Sequence, residues 1–295
     1  VGKAGKLTLG EYLEGRYGKF RARSSKYGAT DISRLCTALG SLKKEQLNLV
    51  GVSKLERWKL KRARMVSPAT VNRELSMLRS ALDQACKWQL LPDNPASGVT
   101  LRRSRPLRAP RILREPERDR LMQALSQRND RLSIMVELAL NTGLKRNELF
   151  GLRWKDIIFG PNPSIIIEKS GKYQNRNRRI PLNKAAVTAL MRWQDFRSKR
   201  TYLVFPGPSG GQLKSITTSW NRLMAEAQIR KFSLSGCRDD FAARLVKAGV
   251  PLTQVRDLLG HSTIALTEKY AIFTRGELSD AVACLNQSDD GPMLK

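Results

Sequence analysis

The sequence contains few of the residues that build metal sites. One histidine, His261, and four cysteines, Cys36, Cys86, Cys237 and Cys284, occur among 295 residues. No two cysteines stand at a CxxC spacing, and a structural zinc site needs about four Cys or His ligands at short spacings. We therefore expect neither a metal nor another cofactor. Cysteines scattered singly are typical of buried apolar positions in a reducing compartment, and we expect a cytoplasmic protein.

Long apolar runs and phosphate-binding loops are missing as well. No hydrophobic stretch approaches the roughly 20 residues of a membrane span, and no signal peptide is visible, so no membrane partner is expected. A P-loop needs glycine directly before its lysine and another glycine five residues earlier. Before Lys214 those positions hold Leu213 and Pro208. The sequence contains no cluster of carboxylates that would indicate a catalytic pair of metal ions.

Acidic residues are scarce relative to basic ones. The 26 Asp and Glu residues oppose 54 Lys and Arg residues, which gives a net charge of +28. Self-repulsion on this scale costs stability, and a polyanionic partner offsets that cost. Residues 1–110 carry a net charge of +15 and residues 111–295 carry +13, so both parts are expected to contact double-stranded DNA. A basic surface without specificity, as in ribosomal or chromatin proteins, is the alternative that charge alone leaves open.

The apolar pattern of residues 7–99 is helical. Apolar residues recur at spacings of three and four in four segments, Leu9–Tyr17, Asp31–Leu42, Lys54–Met65 and Pro68–Trp88. Ser67 ahead of Pro68 predicts an N-cap followed by proline at the first helical position. Arg73 and Arg79 lie on the polar face of the last helix, where we expect them to contact DNA. Residues 1–100 therefore form a predicted helical DNA-binding domain.

A basic segment separates this domain from the rest of the chain. Residues 94–113 contain three prolines and five arginines, a composition that favours an inter-domain linker, which we place at residues 101–113. A linker this basic is expected to lie along DNA phosphates, although its composition also fits a disordered spacer. The expected DNA contacts in it are Arg102, Arg103, Arg105 and Arg108.

Residues 114–285 mix helical and β patterns. Helices are predicted from Thr217 onwards and, before it, over Glu115–Gln127, Leu132–Asn141 and Arg146–Trp154. The β-branched run Ile165–Ile167 and the run Arg179–Leu182 predict a hairpin, whose basic tip includes Lys172 and Arg176 as expected DNA contacts. Residues 202–205 are a further candidate strand. The predicted fold class is mainly α with a small antiparallel sheet, followed by a mobile tail at residues 286–295.

Several motifs occur in a fixed order within this second part. The first is TGLKRNEL at residues 142–149, which continues through GLRWKDI to Ile157; the hairpin follows. The third is SGCRDDF, which begins at Ser235, and the last is LLGH, which ends at His261, nine residues before Tyr270. This ordered set resembles the tyrosine recombinases, also called phage integrases. The resemblance covers nearly all of residues 7–285. It implies a helical core-binding domain and an α+β catalytic domain that form a C-shaped clamp around DNA.

The resemblance also implies a role for each matched residue. Tyr270 would attack a DNA phosphate and form a 3′-phosphotyrosyl link, Arg238 would hold two non-bridging oxygens, and His261 would hydrogen-bond the phosphate. Lys169 would protonate the departing 5′-oxygen, with Lys172 as the competing candidate because hairpin tips are hard to align. Recombination of two duplexes requires four strand cuts, so the family acts as a homo-tetramer on DNA. Off DNA we expect a monomer or a weak oligomer.

Three positions depart from the family pattern. Lys145 stands where an arginine is expected, and it keeps the charge but loses the bidentate fork. Arg146 is adjacent, but one step along a helix turns a side chain by about 100°, so only a local register shift would bring it in. Ser235 replaces a histidine and cannot carry positive charge. Asp239 stands where the family often has His or Lys, and it could pair with Arg238 or repel the phosphate.

These departures leave two functions open. One is a site-specific recombinase that cuts and rejoins DNA. The other is a DNA-binding protein of recombinase fold that occupies or bridges sites, which the three departures favour. A type IB topoisomerase shares the nucleophile, but the separate helical domain favours a recombinase. The apolar positions after Tyr270 have helical spacing and fit packing either on a neighbouring protomer or on their own domain; they are Phe273, Leu278, Val282 and Leu285.

Overall fold

Two structural units make up the chain. The computed structural model describes residues 7–25, 27–101, 109–168, 177–196 and 201–274, and the chain divides into the units Val1–Pro106 and Leu107–Lys295. Within those ranges no helix is both long enough and apolar enough to cross a membrane. In the same ranges His, Cys, Asp and Glu side chains form no group of three that could hold a metal ion. The linker and tail residues singled out in the sequence lie outside the described residues, namely Arg102, Arg103, Arg105, Arg108, Leu278, Val282 and Leu285.

The first unit is built from helices. A π-helical turn at Leu13–Tyr17 joins its first two α-helices, and short 3-10 turns lie at Gly40–Lys44, Leu47–Leu49 and Pro95–Gly98. The α-helices are α1 (Leu9–Tyr12), α2 (Gly18–Ser24), α3 (Gly28–Leu39), α4 (Val52–Ala63) and α5 (Pro68–Lys87). Their apolar faces meet in one core, which includes Tyr12, Leu35, Leu55, Leu75, Leu78 and Leu82. The Oγ of Ser67 accepts a hydrogen bond from the Thr70 amide at 3.3 Å, which confirms the predicted start of α5.

The two arginines expected to bind DNA from α5 have different surroundings. Arg79 donates to the backbone carbonyls of Ala96 at 3.1 Å and Val99 at 2.8 Å. Its guanidinium therefore holds the chain segment that leaves this unit, and a phosphate contact from the same group stays a prediction. Arg73 is 65% exposed and lies 3.4 Å from Asp31, so its charge remains accessible to a partner.

The second unit surrounds a small sheet with helices. Its α-helices are α6 (Glu115–Ser126), α7 (Arg131–Thr142), α8 (Arg146–Phe150), α9 (Lys184–Phe196), α10 (Thr217–Glu226), α11 (Leu234–Lys247) and α12 (Leu252–Leu259). Further 3-10 turns lie at Trp154–Asp156, Ile264–Leu266 and Glu268–Phe273. Helix α7 is apolar on almost every side and packs against α9 and α11. The predicted fold class, mainly α with a small antiparallel sheet, is confirmed.

The sheet has three antiparallel strands in the order β1 (Ile157–Ile158), β2 (Ser164–Ile167) and β3 (Arg178–Pro181). Ile165 pairs with Ile180 across the predicted hairpin. Two predictions were wrong. The helix expected over 146–154 ends at Phe150, and residues 202–205 form no strand but a single bridge between Arg153 and Leu203.

A buried carboxylate ties α11 to the beginning of this unit. Asp240 is 1% exposed. Its oxygens accept hydrogen bonds from Arg118 Nη2 at 2.6 Å, from the Leu113 amide at 3.1 Å and from Arg244 Nε at 3.2 Å. A buried charge is tolerated only when it is paired and hydrogen-bonded, so this set of donors fixes the position of α11.

Replacement of Asp240 by alanine should destabilise the second unit by about 3 kcal/mol, because Arg118 and the Leu113 amide lose their acceptor. Hydrogen exchange of α7 amides in denaturant measures the change within that unit. Asp257→Ala is the matched control, since that carboxylate is 68% exposed and pairs only with the neighbouring Arg256; its effect should stay within about 0.5 kcal/mol. Equal effects of the two substitutions would contradict the assigned role of Asp240.

Candidate active site

Arg238 lies where two helices end. Gly143 caps the C-terminus of α7 and Gly260 caps that of α12, and both glycines are left-handed, with φ values of +61° and +65°. Arg238, in the second turn of α11, donates from Nη1 to the Gly143 carbonyl at 2.6 Å and from Nη2 to the Leu259 carbonyl at 2.5 Å. The carbonyls at a helix C-terminus carry partial negative charge, so this position suits a cation.

Both glycines are required by space as well as by conformation. A Cβ on Gly143 would lie 2.5 Å from Cδ1 of Phe241, and a Cβ on Gly260 would lie 2.5 Å from Nη1 of Arg178. Left-handed backbone already disfavours a side chain at these positions. The end of α7 can therefore pack against Phe241, and the end of α12 against Arg178, only because the residue at each end is glycine.

A second guanidinium, that of Arg178 on β3, lies beside Arg238. Arg178 is 7% exposed, and it donates to the same Leu259 carbonyl at 2.8 Å and to Glu148 Oε2 at 2.8 Å. The pKa of Arg238 is lowered, first by burial and then by the charge of Arg178. Sequence reasoning missed Arg178. Strand alternation gave the signal, because Arg178 shares the inward face with the buried Ile180, where a charge needs a partner.

Glu148 is that partner. Its Oε2 also accepts a hydrogen bond from the Lys145 amide at 2.8 Å, at the start of α8. Burial raises the pKa of Glu148, but the hydrogen bond and charge of Arg178 and the contacts with Lys145 outweigh it, so the pKa lies below its ordinary value. Glu148 is therefore ionised, balances one buried arginine and orients the segment that carries Lys145.

Lys145 and Arg146 are the two candidates for the position where the family pattern has an arginine, and Lys145 is the one that faces the site. Its side chain is exposed, and its charge contributes to the lowered pKa of His261. Arg146 is directed elsewhere, because Nη2 donates to the Lys214 carbonyl at 3.0 Å and the guanidinium lies 5.0 Å from the centre of the Phe150 ring. The register shift that would bring Arg146 in does not occur.

His261 is held by a threonine that sequence reasoning missed. Its Nδ1 lies 2.9 Å from Oγ1 of Thr267, which is fully buried. The pKa of His261 is lowered to about 4, first by burial and then by nearby cations, of which Arg238 comes first and Lys269 second. The imidazole is therefore neutral at pH 7. Because Nδ1 is engaged with Thr267, Nε2 is the ring nitrogen that remains for a ligand.

Tyr270 is 1% exposed and lies in the 3-10 turn Glu268–Phe273. Its hydroxyl donates to Asp239 Oδ1 at 2.5 Å. The pKa of Tyr270 is raised, first by burial and then by the hydrogen bond and charge of Asp239, whereas the charge of Arg238 opposes this rise. The phenol is therefore neutral and within the field of Arg238. Its ring lies in a small apolar cluster with Ala242, Val246, Val255 and Leu259.

Asp239 accepts a second hydrogen bond on the same oxygen, from Lys269 Nζ at 2.8 Å. The Lys269 ammonium also lies 4.7 Å from the centre of the Tyr270 ring, a favourable cation–π distance. The alternative pairing of Asp239 with Arg238 does not form, because the hydrogen bonds of Arg238 go to the two backbone carbonyls. The hydrogen bonds of Asp239 therefore go to Tyr270 and Lys269, and Asp239 acts on Arg238 only through its charge.

The other expected site residues are only partly placed. Ser235 is exposed in the first turn of α11, which begins at Leu234. Lys169, Lys172 and Arg176 lie outside the described residues. The assignment of the acid that protonates the leaving oxygen therefore stays a prediction.

The lowered pKa of His261 predicts how stability depends on pH. His261 takes up a proton near pH 6.5 in the unfolded chain but only near pH 4 in the folded chain. Stability contributed by neutral His261 is therefore present above pH 6.5 and is lost as the pH falls towards 4. Relative to His261→Gln, the wild-type chain should lose about 1–2 kcal/mol of unfolding free energy across this window, a range that allows for partial solvent screening. Denaturant titrations at pH 7 and pH 4.5 measure it, and a constant difference between the two chains would contradict it.

Comparison with known proteins agrees with the resemblance seen in the motifs. The sequence profile of the phage integrase family matches residues 111–275. The tyrosine recombinase XerC of Xanthomonas campestris pv. campestris is 29% identical over 215 residues, which are 70% of this chain and 65% of that protein. XerC of Pediococcus pentosaceus is 28% identical over 236 residues, 74% of this chain and 76% of that protein. The chain thus matches about two thirds of the first relative's length.

Solved structures share the fold at low identity. The Tn1549 transposon integrase in complex with a circular intermediate DNA has a TM-score of 0.76 at 21% identity, covering 95% of this chain and 99% of that one. A lambda integrase dimer bound to a core site has a TM-score of 0.68 at 18% identity, covering 88% and 97%. These likenesses show the fold alone, whereas the profile match spans more than half of the sequence. The chain therefore belongs to the phage integrase family.

Proposed function

We propose that the chain is a site-specific DNA strand transferase that cuts and rejoins duplex DNA through a 3′-phosphotyrosyl link to Tyr270. The observation that carries the proposal is the gathering of Tyr270, Arg238, His261 and Lys145 from separate segments. They are close enough for charge to act between them: Arg238 acts on the pKa of Tyr270, and Arg238 and Lys145 act on that of His261. Relatives described as tyrosine recombinases support this function.

Arg238 supplies oriented positive charge for the phosphate. A guanidinium has five N–H donors, and two of its nitrogens each give one donor to a backbone carbonyl. These carbonyls fix the plane of the group, and the other donors are left for two phosphate oxygens. Burial strengthens such contacts, because the effective dielectric constant is lower than in water.

The charges around Arg238 favour an anionic ligand. Arg178, Lys145 and Lys269 add to its positive charge, whereas the carboxylates Glu148 and Asp239 oppose it, which leaves a positive excess. His261 contributes no charge at pH 7, since its pKa is about 4. In the proposal Thr267 donates to Nδ1, so that His261 Nε2–H donates to the phosphate and stabilises charge that develops on it.

The proposed reaction exchanges one phosphoester for another. The Tyr270 hydroxyl gives its proton to solvent as its oxygen bonds to phosphorus, and the bond from phosphorus to the 5′-oxygen breaks. That oxygen takes a proton from Lys169 or Lys172. A 5′-hydroxyl from another strand then attacks the phosphotyrosine and returns a proton to the same lysine, while the released Tyr270 oxygen takes a proton from solvent. Because two duplexes are exchanged through four cuts, we propose a homo-tetramer on DNA and a monomer or weak oligomer off DNA.

Double-stranded DNA is the proposed partner of both units. The net charge of +28 is divided almost equally between the two parts of the chain, which suits contact with phosphates along a duplex. Arg73 in the first unit is exposed enough to contribute, and the linker arginines are proposed to do the same. The Tn1549 and lambda integrase structures of the same fold contain DNA, which supports this partner.

A second function is favoured by one observation. Tyr270 is almost fully buried and its hydroxyl is bound to Asp239, while Lys145 stands where an arginine would hold the phosphate with two donors. A chain in this state could bind and bridge DNA sites without cutting them. Only the strand transferase would form a covalent protein–DNA adduct, so this product distinguishes the two functions.

Adduct formation tests the proposal directly. A pool of nicked duplexes with a randomised central segment is incubated with the chain, and SDS-resistant complexes are isolated and sequenced. We expect an enriched site and an adduct on Tyr270, none with Tyr270→Phe, and an undiminished yield with Tyr202→Phe, a tyrosine of the same unit that is 70% exposed. Tight binding of the pool without any adduct would favour the second function.

Lys145 provides a second test on the enriched site. Lys145→Arg should raise the single-turnover rate of adduct formation roughly tenfold, because a fork replaces a single ammonium. Lys145→Ala should lower it by about 10²-fold or more. The same substitutions at Lys155, an exposed lysine of the same unit, serve as controls for net charge. Equal responses at the two positions would show that Lys145 acts only through overall charge.

A further inference from the structure

We propose that Asp239 is a positioning residue that restrains the nucleophile: its carboxylate holds the Tyr270 hydroxyl in a stored position, and attack requires this hydrogen bond to break while the carboxylate stays with Lys269. The inference rests on the proposed function, in which Tyr270 is the nucleophile. It concerns when Tyr270 reacts rather than whether it can.

The first observation is the place of the hydroxyl. The Tyr270 side chain is packed in an apolar cluster and is 1% exposed, and its oxygen lies 2.5 Å from Asp239 Oδ1. In a reactive geometry the phosphorus atom must come within about 3–3.5 Å of that oxygen. Asp239 therefore occupies part of the space that the phosphate needs, and the tyrosine must move before it can attack.

The second observation is charge. A phosphate placed for attack would bring its oxygens within about 5 Å of the Asp239 carboxylate, and like charges at this distance repel strongly in a partly buried site. The same carboxylate stabilises the phenol against ionisation, since its hydrogen bond contributes to the raised pKa of Tyr270. Both effects oppose attack for as long as the contact lasts.

Lys269 makes release possible without leaving a charge unpaired. It already donates to the oxygen that Tyr270 uses, at 2.8 Å, and about a quarter of each side chain of this ion pair is exposed. A charge left unpaired in a partly buried site is costly. When the tyrosine departs, the long and flexible lysine side chain can keep its contact with Asp239. The ion pair thus persists in both states, and only the phenol changes partner.

Asp239→Asn tests the restraint with little change in shape. On the enriched duplex, at saturating protein, the first-order rate of adduct formation should rise roughly tenfold or more, which is the effect of losing one charge-assisted hydrogen bond. Asp257→Asn removes an exposed carboxylate of α12 that pairs with the neighbouring Arg256, and it should leave that rate unchanged. A rate at or below that of the wild type would overturn the proposal, and a fall would make Asp239 a proton acceptor instead.

A measurement without DNA separates this proposal from the proposed function. N-acetylimidazole acetylates accessible tyrosine hydroxyls, and mass spectrometry reports Tyr270 and Tyr202 in the same sample. Asp239→Asn and Asp239→Ser should each raise acetylation of Tyr270 severalfold, with Tyr202 unchanged and the thermal melting curve intact. If no chain forms an adduct, the proposed function fails, and acetylation still decides the restraint. Unchanged acetylation of Tyr270 in both folded variants would overturn it.

Discussion

One backbone carbonyl, that of Leu259, accepts hydrogen bonds from two guanidinium groups, and the arrangement of the site depends on it. Arg238 of α11 and Arg178 of β3 both donate to this oxygen. Two like charges in one buried place repel each other, and this repulsion contributes to the lowered pKa of Arg238. Glu148 and the C-terminal ends of two helices offset that cost. A helix, a strand and a helix end are thereby fixed to one point.

The positions of the other functional side chains follow from that point. His261 comes two residues after Leu259, so the carbonyl that holds Arg238 also sets where the imidazole begins. Thr267 then fixes the ring through Nδ1, and Tyr270 follows in the next turn of the chain. The short path from Leu259 to Tyr270 keeps both residues in the same small apolar cluster.

Periodic segments could be predicted from the sequence because their signal is local. The start of α5 follows from Ser67 and Pro68, and the extent of α12 follows from its apolar spacing and the glycine behind it. Strand β1 has two residues and carries no periodicity. The run at 202–205 has β-forming residues, yet within it the structure shows β pairing at Leu203, which forms an isolated bridge with Arg153. Local propensity does not decide whether a neighbouring strand is present.

Individual side-chain roles were predictable only where a motif named them. The roles of Arg238, His261 and Tyr270 were predicted from motif spacing. Those of Arg178 and Thr267 were identified from the fold, because the partners of these two residues lie far away in the chain or across a turn. The sequence does not show which of Asp239 and Asp240 has a structural role. That role belongs to Asp240, and its partner Arg118 lies 122 residues away in the chain. Arg79 was predicted to lie on an exposed helix face, because helical periodicity does not show that the segment with Ala96 and Val99 folds back onto it.

The three departures from the family pattern all weaken the contacts available to a phosphate at the site. Lysine in place of arginine keeps the charge but loses the bidentate fork, serine in place of histidine removes a possible cation, and Asp239 adds an anion. The field nevertheless stays positive, because cations help to lower the pKa of His261 to about 4. The added anion is held by Lys269 and Tyr270 rather than by Arg238. Its charge therefore acts on Tyr270, the proposed nucleophile, while the groups proposed to hold the phosphate remain in place.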